Sequence, residues 1–428
     1  MTSRPLVAFY GDDLTGSADT LSVLAEAGLT ARLYLNPPTE QEREAAGALD
    51  AMGIAGTSRM MSPAEMDQHL PVAFAALKAS RARLVHYKVC STFDSSPALG
   101  SIGHAMRLAR SQFRADFVPI VVGQPGIGRY CAFGSLFASA SAGGPVYRLD
   151  RHPNMARHPT TPMDEADLRL ILGRQGVGAV ALFEITSLRS PTAPRALARL
   201  LDAKPDAVLF DVIEENDLSR IGRLIGGRLP AAEPIFGVGS SALQQALLAG
   251  WPLLAGRAAS LRSGPAPRPE PVFVVSGSRS PVTAAQIKTA EGAGFAALSL
   301  DPVRLADPEQ AIRAIAESAR AAALQLAAGQ SVIAHTSLGP DDPRALAGDD
   351  RGSIELLAKA AGRLVDAVLE LAPVRRLGFC GGDTASLAVR ILGVHGLTYA
   401  YRLAAGVPVC RVHHPNPRLD GLLIMLKG

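Results

Sequence analysis

Asp12 and Asp13, adjacent and followed two residues on by the hydroxyl of Thr15, are the residues of this chain whose types and spacing best suit chemistry; they sit in Tyr10-Gly11-Asp12-Asp13-Leu14-Thr15-Gly16-Ser17-Ala18-Asp19. Two like charges side by side are costly unless a cation, an arginine or a substrate hydroxyl compensates. A single aspartate would suffice to cap a helix or shape a turn, and that plainer reading stands beside the functional one. A second group is Lys88-Val89-Cys90-Ser91-Thr92-Phe93-Asp94-Ser95-Ser96. Its ammonium, close to the hydroxyls of Ser91 and Thr92, can hold an anionic, polyhydroxylated ligand, although a solvated loop lysine gives the same pattern. In Gly123-Gln124-Pro125-Gly126-Ile127-Gly128-Arg129 the glycines have the wrong spacing for a dinucleotide fingerprint and Pro125 interrupts them, so a nicotinamide cofactor is not supported. Arg129 remains a guanidinium fork suited to a carboxylate. Arg151-His152-Pro153 and His158-Pro159-Thr160-Thr161-Pro162-Met163 lack cysteine or carboxylate partners at ligand spacing, which favours a rigid substrate loop containing His158 over a metal site.

In the second half of the chain, Ser276-Gly277-Ser278 and Gly381-Gly382-Asp383-Thr384 each fall where a strand should end and a helix begin. Small residues there let backbone N–H groups approach phosphate oxygens at a helix N-terminus. Such turns are common, and either one alone says little. No GxxxxGK[ST] run occurs, so any ATP site uses another loop design.

The elements that must carry these groups read as alternating strands and helices. The apolar run Leu6–Phe9 predicts a buried parallel strand before the aspartates, and Thr20–Ala27, closed by Gly28, has helical spacing. Further strands are predicted at residues 31–35, 83–87, 117–122, 177–182, 207–211 and 234–239, with helices at 164–173 and 194–201 between them. This alternation implies βαβ units and largely parallel sheets, whose ligands bind at the carboxyl ends of strands. Composition changes at Arg262-Ser263-Gly264-Pro265-Ala266-Pro267-Arg268-Pro269-Glu270-Pro271, which can sustain neither helix nor sheet. The pattern restarts with strands at 272–275, 331–335 and 376–380 and helices at 282–292 and 354–371. The expectation is α/β: two α/β domains with mainly parallel sheets, residues 1–260 and 272–428, joined by a linker at 261–271.

A chain of 428 residues exceeds what one core usually supports. Its 43 Lys+Arg against 39 Asp+Glu give a net charge of +4 without a basic block to follow a nucleic-acid backbone, so anionic small molecules suit it better. Four scattered cysteines without a CxxC pair fit a reducing cytoplasm and imply neither a disulfide framework nor a zinc site. No basic-then-apolar leader or membrane-spanning apolar run is present, so the expected setting is cytoplasmic, with no membrane partner.

Taken together, GDDLTGSAD, KVCSTFDSS, RHPTTPMDEADL, VSGSRSPVTAAQI and GFCGGDTASLAV, in that order, resemble the four-carbon acid sugar kinases, which phosphorylate threonate, erythronate or 3-oxo-tetronate with ATP. The resemblance runs through nearly the whole chain, and CSTFDSS is more similar to the 3-oxo-tetronate branch than to the branch reading DSTLRGN. It implies an N-terminal acid-sugar-binding domain with Asp12, Asp13, Thr15, Lys88, Ser91, Thr92, Arg129 and His158 at its site. It likewise implies a C-terminal nucleotide-binding domain with Ser276, Gly277, Ser278, Gly381, Gly382, Asp383 and Thr384 near ATP. Members of the family continue beyond Leu426-Lys427-Gly428 with a further glycine-containing stretch; the resemblance implies that this terminus touches ATP, which adds Gly428. Phosphoryl-transfer chemistry then calls for Mg2+, with Asp383 as a direct or water-mediated ligand, and for Asp13 or Asp12 to accept the proton of the terminal hydroxyl. A homodimer is one assembly open to such a chain. Two other classes stay open: a non-catalytic acid-sugar sensor, which would need no nucleotide, and an NAD(P)-linked oxidoreductase, which would need a glycine fingerprint where Asp-Asp-Leu-Thr stands.

Overall fold

In the computed structural model, which describes residues 4–113, 117–141, 143–158, 160–229, 234–254, 270–339, 342–343, 351–404 and 406–428, the chain forms two compact units, residues 1–261 and 262–428. Most of the expected linker at 261–271 lies outside the described residues; only Glu270 and Pro271 fall within them.

The N-terminal unit is built on strands β1 (Val7–Gly11), β2 (Ala31–Tyr34), β3 (Ala51–Ala55), β4 (Leu84–Lys88) and β5 (Pro119–Val121), an antiparallel ribbon of β6 (Arg129–Ala132), β7 (Ser135–Ser139) and β8 (Val146–Arg148), and then β9 (Val180–Phe183), β10 (Ala207–Phe210) and β11 (Ile235–Gly239). The main sheet runs β2-β3-β1-β4-β11-β5-β10-β9, every pairing parallel. Helices cover both faces, which is why central strands read as unbroken apolar runs rather than alternating ones. Two expectations needed revision. The strand Ala51–Ala55 went unread because Ala-Met-Gly-Ile-Ala has neither alternation nor β-branched density, yet it is the neighbour of β1. The first helix spans Leu14–Glu26 and begins directly after Asp13, not near Thr20.

Register decides what meets at the sheet edge. Gly11 aligns with Ala55 of β3 and with Lys88 of β4, and Lys88 aligns with Gly239 of β11. The turns after four neighbouring strands therefore open at one level. Beneath them Tyr10 and Tyr87 stack with ring centroids 5.7 Å apart, and Phe74 meets both edge-on. This aromatic block holds the ends of β1 and β4 rigid; such pairs add about 0.5–1.5 kcal/mol each beyond the area they bury.

The C-terminal unit contains β12 (Phe273–Ser276), β13 (Ala296–Ser299), β14 (Val332–His335), β15 (Arg376–Cys380), β16 (Gly396–Ala404), β17 (Val407–His413) and β18 (Leu423–Lys427). The order is β13-β14-β12-β15-β18 in parallel, then β17 and β16 antiparallel. Ser276 aligns with His335 and Cys380, and Cys380 with Lys427, so three turns and the segment Lys427-Gly428 leave the sheet at one level. Among the described residues no helix is long and apolar enough to cross a membrane.

Candidate functional site

Asp13 is the N-cap of the helix Leu14–Glu26: its Oδ1 accepts from the Gly16 amide at 3.1 Å, and its Oδ2 accepts from Thr15 Oγ1 at 2.5 Å. The capping reading of the sequence is thus correct for one aspartate, and it leaves Asp12 to be explained. Asp12 lies in the fork of Arg59, with Nη2 donating to Oδ1 at 2.7 Å and Nε to Oδ2 at 3.1 Å. The same Nη2 also donates to Asp13 Oδ1 at 2.9 Å. One guanidinium therefore bonds to both acids, a single positive charge shared between two carboxylates. Arg59 belongs to the short turn Ser58–Met60 after β3, and that turn is fastened twice: the Arg59 amide donates to Asp12 O at 3.1 Å, and Ser58 Oγ pairs with the Tyr87 hydroxyl at 2.8 Å.

Sequence reading did not single out Arg59. The sign that something must fill its place was the charge pair itself; its position, after a strand whose carboxyl end faces the same edge, needed the β1–β3 pairing that the sequence did not reveal.

Lys88 closes β4 and is buried, and its ammonium has no hydrogen bond or ion pair among the described residues. It lies over Gly16, where a Cβ would overlap both Lys88 Nζ and Asp13 Oδ1; this close approach is what requires glycine there. Burial pushes the Asp13 carboxyl up, but Arg59, Lys88 and the Thr15 hydroxyl outweigh it and hold the group at about 2. Burial raises Asp12 more than Arg59 lowers it, and the charge of Asp13 adds to the rise. The two acids are driven apart, with Asp13 the firmly ionised one.

Beyond Lys88, Cys90 Sγ and Thr92 Oγ1 stand 3.0 Å apart, and Ser91 lies half-buried between them. Cys90 is within electrostatic reach of both Arg59 and Arg129, which brings Arg129 to the same region. Arg129 Nη1 donates to the carbonyls of Ile127, Gly128 and Ser139, each at 3.2 Å, while its Nε is buried without a partner. No carboxylate pairs with Arg129 among the described residues. His158 belongs to a second, adjoining group. Its Nδ1 accepts from the Thr161 amide at 3.1 Å, Thr161 Oγ1 donates to Asp94, and His158 Nε2 is 3.9 Å from Asp94 Oδ2. His152 caps a turn, accepting from the Asn154 and Met155 amides.

In the C-terminal unit the nucleotide candidates gather around the level strand ends. The Gly277 amide donates to Cys380 O at 3.0 Å, the Gly381 amide donates to Lys427 O at 2.9 Å, and a Cβ on Gly277 would overlap Thr384 Oγ1. Ser278 Oγ accepts from Thr283 Oγ1 at 3.1 Å, and Lys427 Nζ donates to the same Thr283 hydroxyl at 2.8 Å. Ser276 is fully buried, so it can act on a ligand only through backbone. The helix Gly382–Ile391 starts behind Gly381, whose φ of 109° is the left-handed conformation; Gly382 itself is the first helical residue. Asp383 is exposed in that first turn, and Gly428 is exposed at the chain end beside Lys427. Lys427 and Thr283 were not recognised from the sequence, since nothing local marks them. A cavity elsewhere in the N-terminal unit, around Arg189 and Arg223, contains none of these residues.

Comparison with known proteins completes the description. Residues 7–247 match a family described as a sugar-binding N-terminal domain, and residues 273–428 match one described as a nucleotide-binding C-terminal domain. A 3-oxo-isoapionate kinase from Paraburkholderia graminis is 39% identical over 99% of this chain and 91% of its own length. A 3-oxo-tetronate kinase from Methylobacterium radiotolerans is 32% identical over 96% of this chain and 93% of its own. A crystal structure of a putative tRNA synthase from Salmonella typhimurium LT2 shares the fold, with a TM-score of 0.77 at 23% identity over 99% of this chain and 95% of that one.

Proposed function

The chain belongs to the four-carbon acid sugar kinase family, an ATP-using phosphotransferase with a sugar-binding and a nucleotide-binding domain, and on that premise we propose that its acceptor is a 3-oxo acid sugar phosphorylated on the terminal hydroxyl. The observation that carries the reading is the charge pattern at the edge of the first sheet. Arg59 and Lys88 together balance Asp12 and Asp13, which leaves Arg129 as surplus positive charge, and neither Lys88 nor Arg129 is in a direct ion pair among the described residues. An acid sugar supplies the missing carboxylate for them and a hydroxyl for the acids. Identity of 39% to the 3-oxo-isoapionate kinase against 32% to a 3-oxo-tetronate kinase supports 3-oxo-isoapionate as the better acceptor of the two.

In this proposal Lys88 and Arg129 hold the substrate carboxylate, and Ser91, Thr92 and His158 line the path of its hydroxyl groups. Asp13, the more exposed acid, accepts the hydrogen bond of the reacting hydroxyl and takes its proton as the phosphoryl group arrives. A strongly basic group is not required, because the transition state is loose and proton transfer contributes about 10²–10⁴ in rate, while alignment contributes about 7–11 kcal/mol. Arg59 and Lys88 keep Asp13 ionised, and Asp12 holds the Arg59 fork in place. Phosphates would rest on the amides of Ser278 and Gly382, since those of Gly277 and Gly381 are taken by Cys380 O and Lys427 O, with Thr384, Lys427 and Gly428 around them. Among the described residues there is no group of three metal-binding side chains, and a magnesium ion fits such a site because it keeps waters and takes few carboxylates. Asp383 would be its protein contact, and the ion would neutralise phosphate charge.

The test is ADP release by the purified chain with ATP and Mg2+ across 3-oxo-isoapionate, 3-oxo-tetronate, threonate and erythronate. The expected result is acceptor-dependent turnover with the highest kcat/KM on 3-oxo-isoapionate. Equal or better turnover of threonate would overturn the substrate proposal. Tight acid-sugar binding with no turnover on any of the four would return the chain to the sensor reading.

A further inference from the structure

The cavity set apart above measures about 700 Å³ and lies between the segment Leu188–Pro194, which follows β9, and the last turns of the helix Glu215–Gly226, which follows β10. In the sheet β9 stands four strands from β4. At a strand spacing of about 4.8 Å that is about 19 Å from Lys88, so the cavity is separate from the acid-sugar site.

Arg189, Arg220, Arg223 and Arg228 line it, over a floor that includes Leu188 and Leu224. Among the described residues two acids answer these four cations. The Asp217 carboxylate is fully buried, accepts from Arg189 Nε at 2.9 Å and from the Ile213 and Glu214 amides, and stands 3.8 Å from Arg220. Glu214, largely exposed, reaches Arg189 at 3.2 Å. Arg223 donates to Ser219 Oγ at 2.8 Å and meets no carboxylate, and Arg228 has no ionic partner among the described residues. The negative end of the helix Glu215–Gly226 offsets part of this surplus. The ten-residue helix Ala193–Asp202 also begins at the cavity wall, but its Ala193 amide donates to Ser190 O at 3.1 Å and Pro194 has no amide hydrogen, so the surplus there is that of Arg223 and Arg228.

We propose that this cavity is a second ligand site, for a small metabolite carrying a phosphate monoester. Guanidinium forks match phosphate oxygens bidentately, and the apolar floor accepts a short carbon skeleton. A volume of about 700 Å³ falls within the usual small-molecule range. The site stands independently of the acceptor proposed for the catalytic reaction.

A phosphate monoester could come from a phosphorylated hydroxy acid or from a nucleoside monophosphate, and the experiment separates them. The full chain is titrated calorimetrically with 3-phosphoglycerate, with AMP in the presence of saturating non-hydrolysable ATP analogue, and with sulfate. Each titration is repeated on Lys88→Met, which disables the acid-sugar site, and on Arg223→Glu/Arg228→Glu. Binding of either ester should persist in Lys88→Met and weaken at least tenfold in the double variant, whose kcat and Tm stay at the parent values. Tighter binding of 3-phosphoglycerate assigns the site to phosphorylated hydroxy acids, and tighter binding of AMP assigns it to nucleotides. Should the double variant fail to fold, Arg228→Gln repeats the comparison with an expected threefold or greater loss. The proposal is overturned if ester binding disappears in Lys88→Met, is unchanged by the arginine substitutions, or is matched by sulfate.

Discussion

At the strand ends of the N-terminal unit stand Asp12, Asp13, Arg59 and Lys88, all carrying charge and all at least largely buried, whereas the level strand ends of the C-terminal unit carry Ser276, Gly277, Gly381 and a single lysine, Lys427. The first arrangement works through side-chain charges that must be matched across the fold. The second, in the proposed function, would work through the backbone amides of Ser278 and Gly382 beside those glycine turns. A charge-built site is expensive to unbalance, because a buried ion left alone costs far more than the pair contributes. A backbone-built site depends on local conformation and close approach, and it is disturbed by any side chain that closes the turn. Selectivity for an acid sugar suits the former, and grip on phosphate oxygens suits the latter.

The strongest test of this contrast is Asp13→Asn. The amide keeps the cap on Gly16 and the shape of the turn but cannot accept the proton, so kcat is expected to fall by about 10²–10⁴ while ATP affinity stays within a few-fold. Steady-state kinetics with titration of an ATP analogue checks both halves; a near-normal kcat would remove Asp13 from the chemistry.

Arg59→Met addresses the charge balance itself. With the shared guanidinium gone, two buried carboxylates face each other, and denaturant unfolding of the N-terminal unit should show a loss of about 3–5 kcal/mol. Adding Asp12→Asn should recover part of that loss, which simple cavity damage would not predict. Absence of recovery in the double variant would mean that Arg59 matters for packing rather than charge.

Gly381→Ala probes the backbone-built side. At φ 109° an alanine is strained, and a cost of about 1–3 kcal/mol should fall on the turn. ATP binding is expected to weaken about tenfold, equivalent to about 1.4 kcal/mol, with acid-sugar binding unchanged. Gly382→Val, one residue on, meets no left-handed strain and should act only through obstruction of the phosphate approach. Equal losses for both ligands would refute the division of labour.

The smallest effect concerns pH. His86, in β4 two residues before Lys88, is buried; burial pushes its pKa down to about 3, with the Gly239 carbonyl opposing and Lys88 assisting. The unfolded chain takes up a proton below about 6.5 that the folded unit refuses, so stability is full above that pH and declines as pH falls toward 3. The slope is up to about 1.4 kcal/mol per pH unit. Urea unfolding of the N-terminal unit at pH 7.0 and 5.5 should show the decline, and His86→Gln should flatten it. An unchanged slope in that variant would shift the acid sensitivity to other groups.

How much of this was legible beforehand follows the same division. The sequence by itself determined the local devices: a strand before Asp12, a pair of acids suited to capping or chemistry, a lysine at the end of the apolar run 83–87, and glycine turns ahead of helices at Gly277 and Gly381. Each is decided by residues within a few positions of one another, through propensity, capping and allowed φ. It also carried the α/β class and the family, because apolar periodicity and ordered motifs persist in a linear string. Only the tertiary structure decided that Arg59 serves both aspartates, that Ala51–Ala55 is the strand beside β1, that Lys427 reaches Thr283, and that Gly381 rather than Gly382 takes the left-handed turn. Those choices rest on parallel register and on contacts between residues far apart in sequence, and an arginine 46 residues from its acid partner leaves no periodic trace in the chain.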